Sequence, residues 1–151
     1  MNHGTDSPVP GLLMVGWKEF VEFPEWGIRR VKAKIDTGAR TSALGALRYE
    51  LTGTEASGLT AELHLALHRR HPERVHVISV PVLGMVMVRN TSGRFEERPL
   101  IEAAVRLGPL TKRVRFTVTD RSGMCFPMIL GRKALEGDFC VDVSRKYLLR
   151  K

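Results

Sequence analysis

Aromatic residues are scarce in this chain, at 7% of 151 residues, with two tyrosines and two tryptophans among them. A protein that reads single-stranded nucleic acid by stacking bases on its rings needs more of that surface, so the composition weighs against such a role. Cysteine is scarcer still. Cys125 and Cys140 are separated by 14 residues, which fits neither a CxxC redox pair nor a zinc knuckle, and both are expected to be buried free thiols. No apolar run approaches the roughly 18 residues of a membrane-spanning helix, and no apolar segment follows a basic start near Met1. The expectation is a soluble, cytoplasmic protein with no membrane partner. Helical periodicity is nearly missing as well, and no segment repeats.

What remains is mostly strand. With 43% hydrophobic residues, 151 residues bury one core but hardly two. One domain over residues 11–151 is therefore expected, after a flexible tail at 1–10 that carries His3, Gly4, Asp6, Ser7 and two prolines. Arg30, Lys32 and Lys34 alternate with Val31, Ala33 and Ile35, the period of a strand with one wet and one buried face. Pro24-Glu25-Trp26-Gly27 is turn chemistry, so 15–23 and 28–35 read as a hairpin. Leu63, Leu65 and Leu67 alternate with polar residues, as do Val114, Phe116 and Val118. Only Arg132 to Leu135 reads as helix, with Gly137 as its stop. Many short strands and one short C-terminal helix define an all-β closed barrel.

One acidic residue stands out by its setting. The strand pattern through Ile35 delivers Asp36 directly into the turn Thr37-Gly38-Ala39. A carboxylate that activates water works best on a rigid turn beside a core strand, where apolar walls and a second negative charge can split its proton equilibrium. The Thr37 hydroxyl can lock such a turn, and Gly38 leaves its floor open. Far downstream, Ile129-Leu130-Gly131 supplies an apolar strand ending in glycine, just before the helical segment. Asp-Thr-Gly occurs once, which excludes a two-lobed chain carrying two catalytic loops.

These two pieces resemble the signature of a retropepsin-like aspartic protease. The wider set is similar to a small bacterial family that has been labelled "ATP-dependent zinc protease": Val15-Gly16-Trp17, residues 31–44 around Asp36, Arg98-Pro99-Leu100-Ile101, Ile129-Leu130-Gly131-Arg132, and Tyr147-Leu148-Leu149. The resemblance implies a cytoplasmic homodimer with its active site at the subunit interface, one catalytic Asp36 from each chain, and no cofactor. Thr37, Gly38, Ala39, Ile129, Leu130 and Gly131 would support the active-site loop. It further implies association with a glutamate ligase of the ATP-grasp type that extends a ribosomal protein, and an acidic, oligoglutamate-like tail as substrate. One departure is visible: the family commonly carries a histidine after Ser42-Ala43-Leu44, and this chain has Gly45.

The charge distribution agrees in direction with an acidic substrate. The net charge of +8 arises after Asp36, because the first 36 residues hold five basic and five acidic side chains. Arg40, Thr41, Ser42, Arg94, Arg98, Arg121 and Arg132 are expected to bind substrate, the arginines through forked contacts with carboxylates. Residues 86–95 read as a flap with a turn-rich tip. Metal ligation is not expected: His64 and His68 share the spacing of a zinc helix, but Leu65 replaces the glutamate and the pattern is that of a strand. Arg145 to Arg150 reads as an edge strand able to pair with its copy. Two other readings fit the same composition, a basic barrel binding RNA or the ribosome without catalysis, and a catalytically silent dimeric scaffold.

Overall fold

The computed structural model describes residues 7–89, 92–120 and 124–149. Twelve strands and one short helix follow in chain order: β1 (Leu13–Val15), β2 (Lys18–Phe23), β3 (Ile28–Ile35), β4 (Ser42–Ala46), β5 (Arg48–Thr54), β6 (Gly58–Leu65), β7 (His76–Pro81), β8 (Gly84–Arg89), β9 (Phe95–Leu107), β10 (Leu110–Asp120), β11 (Met128–Leu130), α1 (Arg132–Leu135) and β12 (Phe139–Val141).

The main sheet runs in the order β10-β4-β11-β3-β2-β9-β8, and an additional β10–β9 pairing closes it on itself. Closure gives each of six strands a neighbour on both sides and puts β8 outside the ring as the arm of a hairpin. The fold is thus all-β and barrel-like, as the alternation implied. Period-two patterning explains why. Val31, Ala33 and Ile35 on β3 point inward with Val21 and Phe23 on β2, while Ile101, Val105, Phe116 and Val118 come from the opposite wall. Phe23 anchors this core, stacked on Trp26 at 4.6 Å and tilted against Phe116 at 5.9 Å.

A second, three-stranded sheet, β5-β6-β7, lies between β4 and β8 in the chain. Its face bearing Tyr49, Ala61, Leu63, Leu65, Ile78 and Val80 packs on the core.

The structure changes three sequence expectations. The first arm of the proposed hairpin is two elements: β1 leaves to pair in parallel with β12, and only β2 pairs with β3. The break falls at Gly16, where a Cβ would lie 2.3 Å from the Arg145 carbonyl oxygen. Cys125 is exposed and Cys140 half-buried, so neither thiol is in the core. Finally, residues 145–149 form no strand. Tyr147 has φ +52°, which turns the chain, and the Leu148 and Leu149 amides are spent on the buried Glu19 carboxylate. Amides held that way are not available to pair with a copy, and Arg150 lies outside the described residues.

Candidate active site

Asp36 sits one residue past the end of β3. Its N–H donates to the Leu130 carbonyl at 2.9 Å, which carries the β3–β11 parallel pairing one step beyond the strand. β11 also pairs antiparallel with β4, so the apolar strand threads between the two strands that flank the Asp36 loop. This explains why Ile129 and Leu130 are apolar: Leu130 is fully buried and Ile129 lies half-buried opposite Lys34.

The loop is fixed from several directions. Asp36 Oδ1 accepts the Gly38 N–H at 3.0 Å, and the Ala39 N–H donates to the Asp36 carbonyl at 3.2 Å. The Arg132 and Lys133 amides, which open α1, donate to the Ala39 and Arg40 carbonyls at 2.8 and 3.0 Å. Gly131 is required here by close approach: a Cβ would lie 2.8 Å from the Ala39 carbonyl oxygen and 2.9 Å from the Thr41 carbonyl carbon. Its N–H donates to the Ser42 hydroxyl at 3.0 Å. Asp36 itself is half-exposed, so its carboxylate can reach water.

The residues expected to contact substrate divide into groups. Ser42 is 1% exposed and lies beneath the loop, where its hydroxyl braces Gly131 instead of facing a ligand. Arg132 donates to the Thr37 carbonyl at 3.0 Å and so clamps the loop from outside. Arg98 is held by Glu96, at 3.2 and 2.8 Å, and by the Thr119 hydroxyl. Arg40 and Thr41 are exposed beside the loop, and Arg94 is exposed beyond β8. Arg121 lies outside the described residues, as does the tip of the expected flap at 90–91. The flap arms are present as β8 and the start of β9, paired from Arg89↔Phe95 to Gly84↔Leu100.

Between the Asp36 loop, the flap arm and β10 lies a cleft of about 880 Å³. Arg40, Thr41, Val86, Val88, Arg115 and Lys133 are among its walls. Sequence reasoning had passed over Arg113, Arg115, Lys133 and Glu102 as site residues, although the alternation of β10 already placed both arginines on its wet face. Among the described residues, Glu102 is the sole carboxylate lining this cleft. It accepts from Arg113 at 2.8 Å and lies 3.6 Å from Arg115.

The hydrogen bond from Arg113, backed by the charges of Arg113 and Arg115, holds the Glu102 carboxyl below its ordinary value of 4.5 against the opposing effect of burial. A carboxyl with a depressed folded-state value contributes stability above its unfolded value and loses it as pH falls through the folded one. Glu102→Gln is therefore expected to lower the urea midpoint near neutral pH, with the difference from wild type vanishing well below pH 4.5. A pH-independent difference would show that Glu102 acts by packing alone.

Among the described residues, no three His, Cys, Asp or Glu side chains gather as a metal site. His64 bonds Glu62 at 2.9 Å on β6, whereas His68 lies past the strand end with Nε2 donating to the Arg29 carbonyl at 2.6 Å. No described helix is long and apolar enough to cross a membrane.

A closed barrel that threads an apolar Ile-Leu-Gly strand beside one Asp-Thr-Gly turn, with a hairpin over the adjoining cleft, defines a single-lobed retropepsin-like protein. The chain belongs to the RimB-like family of retropepsin-like aspartic endopeptidases, whose sequence model matches residues 14–151. A Legionella pneumophila protein of unknown function shares the fold, with a TM-score of 0.73 at 18% identity, over 91% of this chain and 98% of that one. Two relatives are each named a probable alpha-L-glutamate ligase. The one from Parasynechococcus marenigrum is 35% identical over 91% of this chain, and the one from Shewanella halifaxensis 29% identical over 90%. The chain spans only 29% and 30% of those ligases' lengths.

Proposed function

We propose that two copies of this chain form an aspartic endopeptidase that trims acidic, glutamate-rich tails from proteins. The observation that carries the reading is the single braced Asp36 loop. It presents one carboxylate, tied by Oδ1 to the Gly38 N–H, where the chemistry needs two. In a homodimer the two Asp36 side chains meet across the two-fold axis and share one proton, since close like charges resist double ionisation. The ionised member takes a proton from the water that attacks the peptide carbonyl. The protonated member donates a hydrogen bond to the developing oxyanion, and that proton then passes to the departing amine. No cofactor takes part.

The substrate class rests on charge and on company. Arg40, Arg89 and Arg115 face the cleft together with Lys133, which Glu136 partly offsets at 3.4 Å, and among the described residues Glu102 is the one carboxylate in the lining, a field that draws anionic peptide. Relatives named as probable alpha-L-glutamate ligases carry a region like this chain within a longer protein, which supports a glutamate-rich substrate. The reading includes association with such a ligase in the cytoplasm.

The test is hydrolysis of an oligoglutamate-tailed peptide beside a neutral peptide of equal length. Turnover of the acidic peptide should be faster by at least about tenfold in kcat/KM, a difference of about 1.4 kcal/mol. Its rate should rise with the square of enzyme concentration below the dimer dissociation constant. Equal turnover of the neutral peptide removes the substrate class, and strictly first-order dependence at all dilutions removes the shared site.

A further inference from the structure

Beyond the strand end that carries Asp36, β3 leads in the other direction to a cavity of about 640 Å³ with a strongly basic wall. Arg29, Arg30, Lys32, Arg69, Arg70 and Arg74 line it. Arg29 is paired with Glu22 at 3.2 Å, and the Glu73 carboxylate is engaged with His71 and feels the charge of Arg74. Arg30, Lys32, Arg69 and Arg70 have no carboxylate within ion-pair distance among the described residues. His68 also lines the cavity, and its Nδ1 is buried without a partner there. Arg30 adopts φ +54°, an uncommon conformation for a side chain of its size, at the register shift between β2 and β3.

The cations continue along the strand. Lys32 and Lys34 share the wet face of β3, and Asp36 keeps the same parity one residue past its end. Lys18 of β2 stands directly opposite Lys34 in the antiparallel register. Like charges facing across a strand pair are destabilising unless an anion lies between them. At about 3.3 Å per residue, Arg30 to Asp36 measures roughly 20 Å, the reach of about six residues of extended chain.

We propose that this face of β3, from the Arg69–Arg70 cavity to Asp36, is a track that grips an acidic polypeptide tail in extended form. The inference rests on the endopeptidase reading and adds to it a requirement for tail length. Phe20 is stacked on Tyr147 at 4.5 Å and capped by the Arg30 guanidinium, also at 4.5 Å, and Lys18 covers Tyr147. With the faces of Phe20 and Tyr147 taken, the cavity gives a nucleobase no benzene-type ring to stack on, which favours a polycarboxylate over RNA.

The experiment uses the full chain with Arg69→Glu and Arg70→Glu together, and separately Lys32→Glu, all exposed or half-exposed positions. Anisotropy of a labelled oligoglutamate of ~12 residues should show at least about fivefold weaker binding by each, as expected from losing surface charge pairs and adding repulsion. In hydrolysis, KM for the long tail should rise by a similar factor with kcat unchanged, while a peptide of about four residues, too short to span the track, is cut as by wild type. Unchanged affinity and KM would overturn the track. So would an RNA of equal length that binds more tightly and displaces the peptide. The binding arm is read without turnover, so a protein that hydrolyses nothing would sink the endopeptidase reading and leave the track standing or falling on anisotropy alone.

Discussion

Asp36→Asn is expected to abolish hydrolysis of an oligoglutamate-tailed peptide, by at least about a thousandfold in kcat, while leaving the fold and its melting temperature unchanged. The two halves of that expectation come from different atoms. The asparagine Oδ1 still accepts the Gly38 N–H, and the backbone bonds from Asp36 to Leu130 and Ala39 do not involve the side chain. The loop therefore keeps its shape. In the proposed mechanism, what is lost is the ionisable oxygen that takes the proton from water, together with the partner charge that holds one proton on the opposing carboxyl. A subunit-mixing experiment sharpens the point. Dimers containing one wild-type and one Asp36→Asn chain should be as inactive as the pure variant, since the proposed pair would act as a unit. Residual turnover in proportion to the wild-type fraction would mean that each chain works alone.

The second large effect lies in stability, far from catalysis. Glu19 is fully buried, and its two oxygens accept three backbone N–H groups: Gly16 at 2.7 Å, Leu148 at 2.9 Å and Leu149 at 3.1 Å. A buried carboxylate is tolerated when its lone pairs are met in this way. Removing the acceptor strands three donors, each costing about 1–3 kcal/mol when buried and unmet. Because the C-terminal segment can partly pull away to reach water, Glu19→Ala is expected to cost about 3–5 kcal/mol, a large share of the ~5–15 kcal/mol that holds a typical domain. For a domain of this size that lowers the melting temperature by roughly 10 °C.

Glu19→Gln should fall between the two, because its amide NH₂ would face an N–H donor. Amide hydrogen exchange separates this mechanism from simple core loss: Leu148 and Leu149 should lose protection first in both variants. A melting temperature within ~2 °C of wild type would show that water replaces the carboxylate without penalty.

Local chemistry made some of this readable from the chain alone. The alternation of Arg30 to Ile35 announced β3, the apolar run before Gly131 announced β11, and the Arg132–Leu135 segment announced α1; each follows from side-chain period or a nearby glycine, which are properties of a few adjacent residues. The same locality explains what was misread. Nothing near Tyr147 signals that its chain will turn toward a carboxylate 128 residues earlier, so 145–150 looked like a free edge strand. Ser42 carries a hydroxyl suited to substrate, and only the arrival of Gly131 from 89 residues away turns it into a brace.

The order of residues along the chain thus decided that there would be strands, one carboxylate on a tight turn, and a surplus of cations after it. Which strands would be neighbours was decided by burial: β11 fits between β3 and β4 because only there are both faces of Met128 and Leu130 covered and Gly131 close-packed on the loop. Tertiary contact alone also sorted the arginines. Arg132 and Arg98 are spent on the protein's own oxygens, whereas Arg40, Arg69 and Arg70 have no carboxylate in ion-pair range among the described residues. The reason is that a guanidinium's role depends on which acceptors lie within its reach after folding, and sequence spacing carries no information about that distance.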